Sequence, residues 1–129
     1  MFNNKGQSLV LFIIILPILL FILVLVIDIG RVIVLKLELN NISELVLDYG
    51  LDNIMDENIV KELDELVKLN KDDIDRVKLY KDNNKIYIEL SEKSDGILSS
   101  FVNISMFNVK SYYVGYIVDE EKRIESLGD

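Results

Sequence analysis

The sequence predicts an α+β chain in which a long N-terminal transmembrane helix carries a small three-stranded antiparallel sheet packed on helices. Three observations predict it. The run Leu9 to Ile27 has no charge and no polar side chain. Apolar residues then recur at three- and four-residue spacing to about Leu69, the signature of helical faces. From Val77 onward the period drops to two, as strands require.

The apolar run comes first. At 1.5 Å per residue it reaches roughly 28 Å, close to the hydrocarbon thickness of a bilayer, about 30 Å. A domain this small could not enclose so uniformly apolar a cylinder, so the run reads as a membrane span. A cleaved secretory signal would need small residues behind a shorter core. Here Ala is absent from the chain and the run ends in Asp28-Ile29-Gly30-Arg31. An uncleaved anchor fits, and so does cleavage in front of the run, after Gly6. Lys5 and the amino terminus precede the run while Arg31 and Lys36 follow it. Positive charge is therefore balanced and does not choose a side.

The helical pattern passes beyond the span. Val32, Leu35, Leu39, Ile42, Leu45, Val46 and Tyr49 form its stripe, and Gly50 is read as a stop or bend. A second amphipathic helix is expected from about Glu57 to Leu69, with Ile59, Val60, Leu63, Leu66 and Val67 on one side. Val77 and Leu79, a turn at "KDNNK", then Ile86, Ile88 and Leu90 read as a hairpin. A loop at Ser94-Asp95-Gly96 leads to a short apolar piece, Ile97 to Val102, expected as one or two helical turns. A third strand is expected from about Phe107 to Val118, and the charged tail from Asp119 is expected to fray. The domain reading is residues 1–6 as a leader, 7–56 as span and continuation, and 57–129 as a small α+β head.

Composition narrows the function. The 129 residues carry 22 Asp and Glu against 14 Lys and Arg, a net charge of -8. That charge repels phosphate backbones, so nucleic acid is not an expected partner. Without Cys or His there is no thiol nucleophile, Ser-His-Asp triad or usual zinc site. No catalytic grouping stands out, so an enzyme is not expected, nor a cofactor or metal. Asp72, Asp73 and Asp75, and the run Asp119-Glu120-Glu121, lack the spacing and turn glycine of a calcium loop. Asn41-Ile42-Ser43 and Asn103-Ile104-Ser105 fit a glycosylation pattern that an Asn-rich chain produces by chance.

Pro17, the one proline, removes a backbone donor inside the span; it reads either as a weak point that lets the helix bend or as a tolerated transmembrane proline. Asp28 and Arg31 lie at i and i+3, with Gly30 between them. They read as an ion pair at the membrane boundary, or as a docking point where Gly30 admits a neighbouring helix.

Taken in order, Gly6, Gln7, Ser8, Phe12, Pro17, Asp28, Gly30 and Arg31 resemble the N-terminal pattern of the TadE-like family. These are minor pseudopilin-type components of Tad (tight adherence) pilus-assembly and secretion systems. The resemblance covers about the first fifty residues. It implies cleavage between Gly6 and Gln7 by a prepilin peptidase. It also implies a cytoplasmic N-terminus in the cytoplasmic membrane, a single pass, an extracytoplasmic head and a pilin-like outline. The partners it implies are other pilin-like subunits, Tad assembly proteins, the prepilin peptidase and the lipid bilayer. One position departs. Pilin-like chains carry Glu five residues after the cut, where this chain has Leu11. That carboxylate neutralises a neighbour's amino terminus, and a buried charge left unpaired costs about 3–5 kcal/mol. Leu11 therefore suits a tip or initiating subunit or a membrane-resident accessory. The alternative is an unprocessed single-pass anchor presenting a small protein-binding domain unrelated to pili.

Overall fold

A computed structural model describes residues 4–98 and 107–128. The elements are α1 (Asn4–Asp52), α2 (Ile59–Asn70), β1 (Arg76–Asp82), β2 (Lys85–Ser94), β3 (Phe107–Val118) and β4 (Glu121–Gly128). The strands form one antiparallel meander in the order β1-β2-β3-β4.

Helix α1 runs without a break through Pro17 for 49 residues, about 73 Å at the usual rise. Its two halves meet different surroundings. From Leu9 to Ile27 the side chains are exposed, apart from half-covered Val24 and Leu25. This stretch is long and apolar enough to cross a membrane, and none of its most hydropathic window is buried against the head. From Asp28 on, one side of the helix is covered. Asp28, Leu35, Leu39, Ile42 and Val46 recur at heptad-like steps, joined by Ser43, Leu47, Gly50 and Leu51. Leu45 and Tyr49 remain exposed. The buried stripe is thus rotated away from its expected centre, because α1 is flanked by the sheet and by α2 together.

The sheet lays its inner face on α1. Ile86, Ile88, Leu90, Val109 and Tyr113 meet the α1 stripe, and α2 closes the side with Ile59, Leu63 and Val67. Gly50 does not end the helix. A Cβ there would lie 2.9 Å from Leu63 Cδ1, so glycine is what lets α2 come so close. Ser43 and Ser111 face each other within this core, and their hydroxyls bond to one another at 2.9 Å. Each satisfies the other where no water reaches.

Among the described residues, no helix lies over the outer face of the sheet. It carries tyrosines instead. Tyr80 stacks on Tyr87 with ring centroids 4.7 Å apart, and the Tyr80 and Tyr112 hydroxyls share a bond of 3.0 Å. That bond is the main reason the Tyr80 hydroxyl is pushed up to about 12. Val114, beside Tyr87 in register, is buried on this face.

The three-strand expectation is corrected. The tail beyond Asp119 does not fray: residues Glu121–Gly128 form a fourth strand on β3. The turn into it places Asp119 and Glu120 at φ 51 and 65, the left-handed pair that a two-residue hairpin needs. Ile124 packs on the core, and Lys122 Nζ reaches Asp48 at 2.8 Å and Asp52 at 3.0 Å on α1. Among the described residues of the expected turns at Ile97–Val102, Ile97 and Leu98 are helical; 99–102 lie outside them.

Candidate functional site: the junction of rod and head

Asp28 is the first residue after the apolar run, and it is buried. A lone carboxylate at that position would be costly without donors. The head supplies them. The backbone amide of Ile97 donates to Asp28 Oδ1 at 2.8 Å, and that of Leu98 donates to Oδ2 at 3.1 Å. These two amides, chiefly that of Ile97, hold the Asp28 carboxyl below its ordinary value of 3.8, with Arg31 helping and burial opposing. Gly96 makes the approach feasible, since a Cβ on it would sit 2.7 Å from Asp28 Oδ2. One turn along the rod, Arg31 Nη1 donates to the carbonyl of Asp95 at 3.3 Å. Asp28 and Arg31 thus grip one short loop, residues 95–98, from the same side of the helix.

A second junction lies further along. Lys71, at the end of α2, has its Nζ 3.0 Å from Asp73, 3.4 Å from Glu92 and 3.7 Å from Glu38 of the rod. Burial alone would lower the Lys71 ammonium, but Asp73, Glu92 and Glu38 outweigh it and the net direction is up. Burial pushes the Glu92 carboxyl up against the pull of Lys71. On the opposite flank, Lys36 donates to the carbonyl of Lys110 on β3. The head is therefore tied to α1 at several levels, beginning one residue past the apolar run.

The other residues singled out by sequence fall as follows. Gly6 and Gln7 are exposed in the first turns of α1, and a Cβ on Gly6 would meet nothing within 4 Å. Leu11 and Pro17 are exposed on the bare half. Gly30 also has open space around its Cα, on a side of α1 that the head does not cover. Asp73 is committed to Lys71, and Asp75 accepts the amide of Lys93 at 2.7 Å. Ser43 of the first glycosylation pattern is buried, whereas Asn103-Ile104-Ser105 lies outside the described residues. The loop partners Asp95, Gly96, Ile97 and Leu98 were not foreseen as part of the site. Their contribution is mostly backbone, and backbone donors leave no residue-type signal.

A family model described as TadE-like protein matches residues 6–44. The match runs from the glycine before the apolar run through Asp28, Gly30 and Arg31 into the covered half of α1. No curated protein and no solved structure matches the chain.

Proposed function

With residues 6–44 assigned to the TadE-like family, we propose that the chain is a membrane-anchored structural component of a Tad-type pilus or secretion system. Its place is that of a minor pseudopilin. The observation that carries this reading is the coincidence of two boundaries. The family match opens at Gly6, just before the membrane-length half of α1, and continues past the residues that grip the head. Such a chain works by helix packing. The span lies beside the helices of sister subunits while the clamped head is presented outside the cytoplasm. Leu11 gives the bare half no carboxylate with which to pair a neighbour's amino terminus, which favours a tip or accessory position.

Gly6 allows a clean experiment, because a larger side chain there disturbs no contact. The intact mass of the membrane protein should drop by residues 1–6 when an active prepilin peptidase is present. The Gly6→Val variant should keep its full mass. Retention of Met1 to Gly6 alongside an active peptidase overturns the processing step.

Leu11 also favours a second reading, an unprocessed anchor that presents its head to a partner unrelated to pili. Co-purification from membranes separates the two: Tad assembly proteins should accompany the chain under the first reading and be missing under the second.

A further inference from the structure

The outward side of α1 stays apolar beyond the span. Ile29, Ile33 and Leu37 continue the bare face at four-residue steps, all of them exposed, before Asn41 and Glu44 make it polar. On this side the apolar face runs from Leu9 to Leu37, roughly 43 Å at 1.5 Å per residue, against a hydrocarbon core of about 30 Å. A helix with that excess on one face relieves it by leaning toward that face.

The head places a groove on the same side. It lies between α1 and the start of β3, has a volume of about 400 Å³, and is walled by Ile33, Leu37, Val109 and Phe107. Phe107 is 61% exposed and lines the groove together with exposed Ile33 and Leu37, so the three make one apolar patch and not isolated surface residues. Among the described residues, the charged residues lining the groove are Lys36, whose ammonium donates to the carbonyl of Lys110, and Lys110 itself near the start of β3, and no carboxylate lines it. In a chain of net charge -8 that is a marked local reversal. The nearer carboxylates are engaged elsewhere, Asp28 by the Ile97 and Leu98 amides and Glu38 and Glu92 by Lys71, while Asp48, Asp52 and the turn Asp119-Glu120 lie at the other end of the head.

We propose that this groove seats an anionic phospholipid of the bilayer that the rod spans. The rod leans toward the Ile29–Ile33–Leu37 face, acyl carbon covers Ile33, Leu37 and Phe107, and the lipid phosphate lies between Lys36 and Lys110. Two features select lipid as the occupant. The groove is continuous with the surface already in contact with acyl chains, and its charge complements an anionic headgroup. The clamp at Asp28 keeps this end of the head at the boundary, so the groove cannot swing away from the membrane. The proposal requires only that Leu9–Ile27 crosses the bilayer, and it is independent of any role in a pilus.

The chain has no cysteine, so single spin labels can be placed by substitution. The full chain carrying Phe107→Cys, Phe21→Cys or Met55→Cys is reconstituted in vesicles of phosphatidylcholine, with and without phosphatidylglycerol. Access to oxygen and to a water-soluble nickel chelate is then measured. Phe21 should read as deep and Met55 as aqueous in both lipids, which checks the span by itself. Phe107 should read as lipid-exposed with phosphatidylglycerol and shift several-fold toward the aqueous value without it. Adding Lys36→Gln and Lys110→Gln should erase that shift. Phe107 labels as aqueous as Met55 in both vesicles, or equally immersed in both, overturn the proposal. So does dipolar broadening at Phe107 that disappears when labelled protein is diluted with unlabelled, since a second copy would then occupy the groove.

Discussion

One helix serves as two different objects in this protein. The half from Leu9 to Ile27 is apolar on every side and stands clear of the head over nearly all its length, whereas the half from Asp28 to Asp52 interleaves polar residues, is covered by the head along one stripe and keeps Ile29, Ile33 and Leu37 exposed next to the span. Both halves are rich in Leu, Ile and Val, so composition alone does not separate them. What separates them is the distribution of polar residues around the axis. With none, a segment needs an apolar surrounding, lipid or other helices, on every side; with a polar side, it can carry a water-facing domain. The boundary falls at Asp28, and the structure marks it with a carboxylate bound by the head's own backbone.

The sharpest way to break the comparison is to make the same truncation in both halves. Leu39 is fully buried beneath the sheet, and Leu39→Ala should destabilise the head by about 2–5 kcal/mol. Leu19 is exposed on the bare half, and Leu19→Ala should leave head stability unchanged. Denaturant unfolding in detergent micelles, followed by the tyrosine signal of the sheet, measures both. Equal losses would mean that the bare half packs on the head after all.

A smaller effect tests how polar groups are tolerated in the covered half. Ser43→Ala leaves the buried Ser111 hydroxyl without its partner, at a cost of about 1–3 kcal/mol. Ser111→Ala should cost a similar amount. The double variant should recover much of either loss, because no orphaned hydroxyl remains. Strictly additive losses in the same unfolding experiment would show that the two hydroxyls do not depend on one another.

Much of this organisation was legible in the sequence, and the failures have physical causes. The membrane-length run, both helices and strands β1 to β3 follow from periodicity, because each buries one face against a neighbour or, for the run, has no polar face at all. Strand β4 did not show. It contributes only Ile124 to the core, and its turn is built from Asp119 and Glu120, not from the Asn or Gly that usually mark left-handed turns. Its stability comes from pairing with β3 and from the reach of Lys122 to Asp48 and Asp52, which are long-range facts that local pattern does not encode. The stripe on α1 was found but rotated, since its centre depends on where α2 and the sheet meet. At the junction, Asp28, Gly30 and Arg31 stood out as residues. The loop that Asp28 and Arg31 grip did not, because two amides and a carbonyl belong to any sequence.

The mildest perturbation acts on the boundary alone. Asp28→Asn removes the charge from the carboxylate that accepts the Ile97 and Leu98 amides, but leaves the core under the sheet intact. The expected result is local: faster hydrogen exchange at those two amides, with little change in global unfolding. The pH dependence has a definite sign. The folded carboxyl lies below its ordinary value of 3.8, so its contribution is fully present above that value and is lost as pH falls through the folded one. Protection of the two amides, corrected for intrinsic exchange, should therefore decline as the solution is acidified below about pH 4. In the Asp28→Asn variant the decline should be absent, because a carboxamide has no proton to gain in this range. The Arg31 hydrogen bond goes to the neighbouring carbonyl of Asp95 and not to the Asp28 carboxylate, so a residual tether should survive acidification. Protection that is equal in both chains and flat with pH would mean that the amides are held by the fold of the loop itself. The rod would then meet the head at this level only through Arg31.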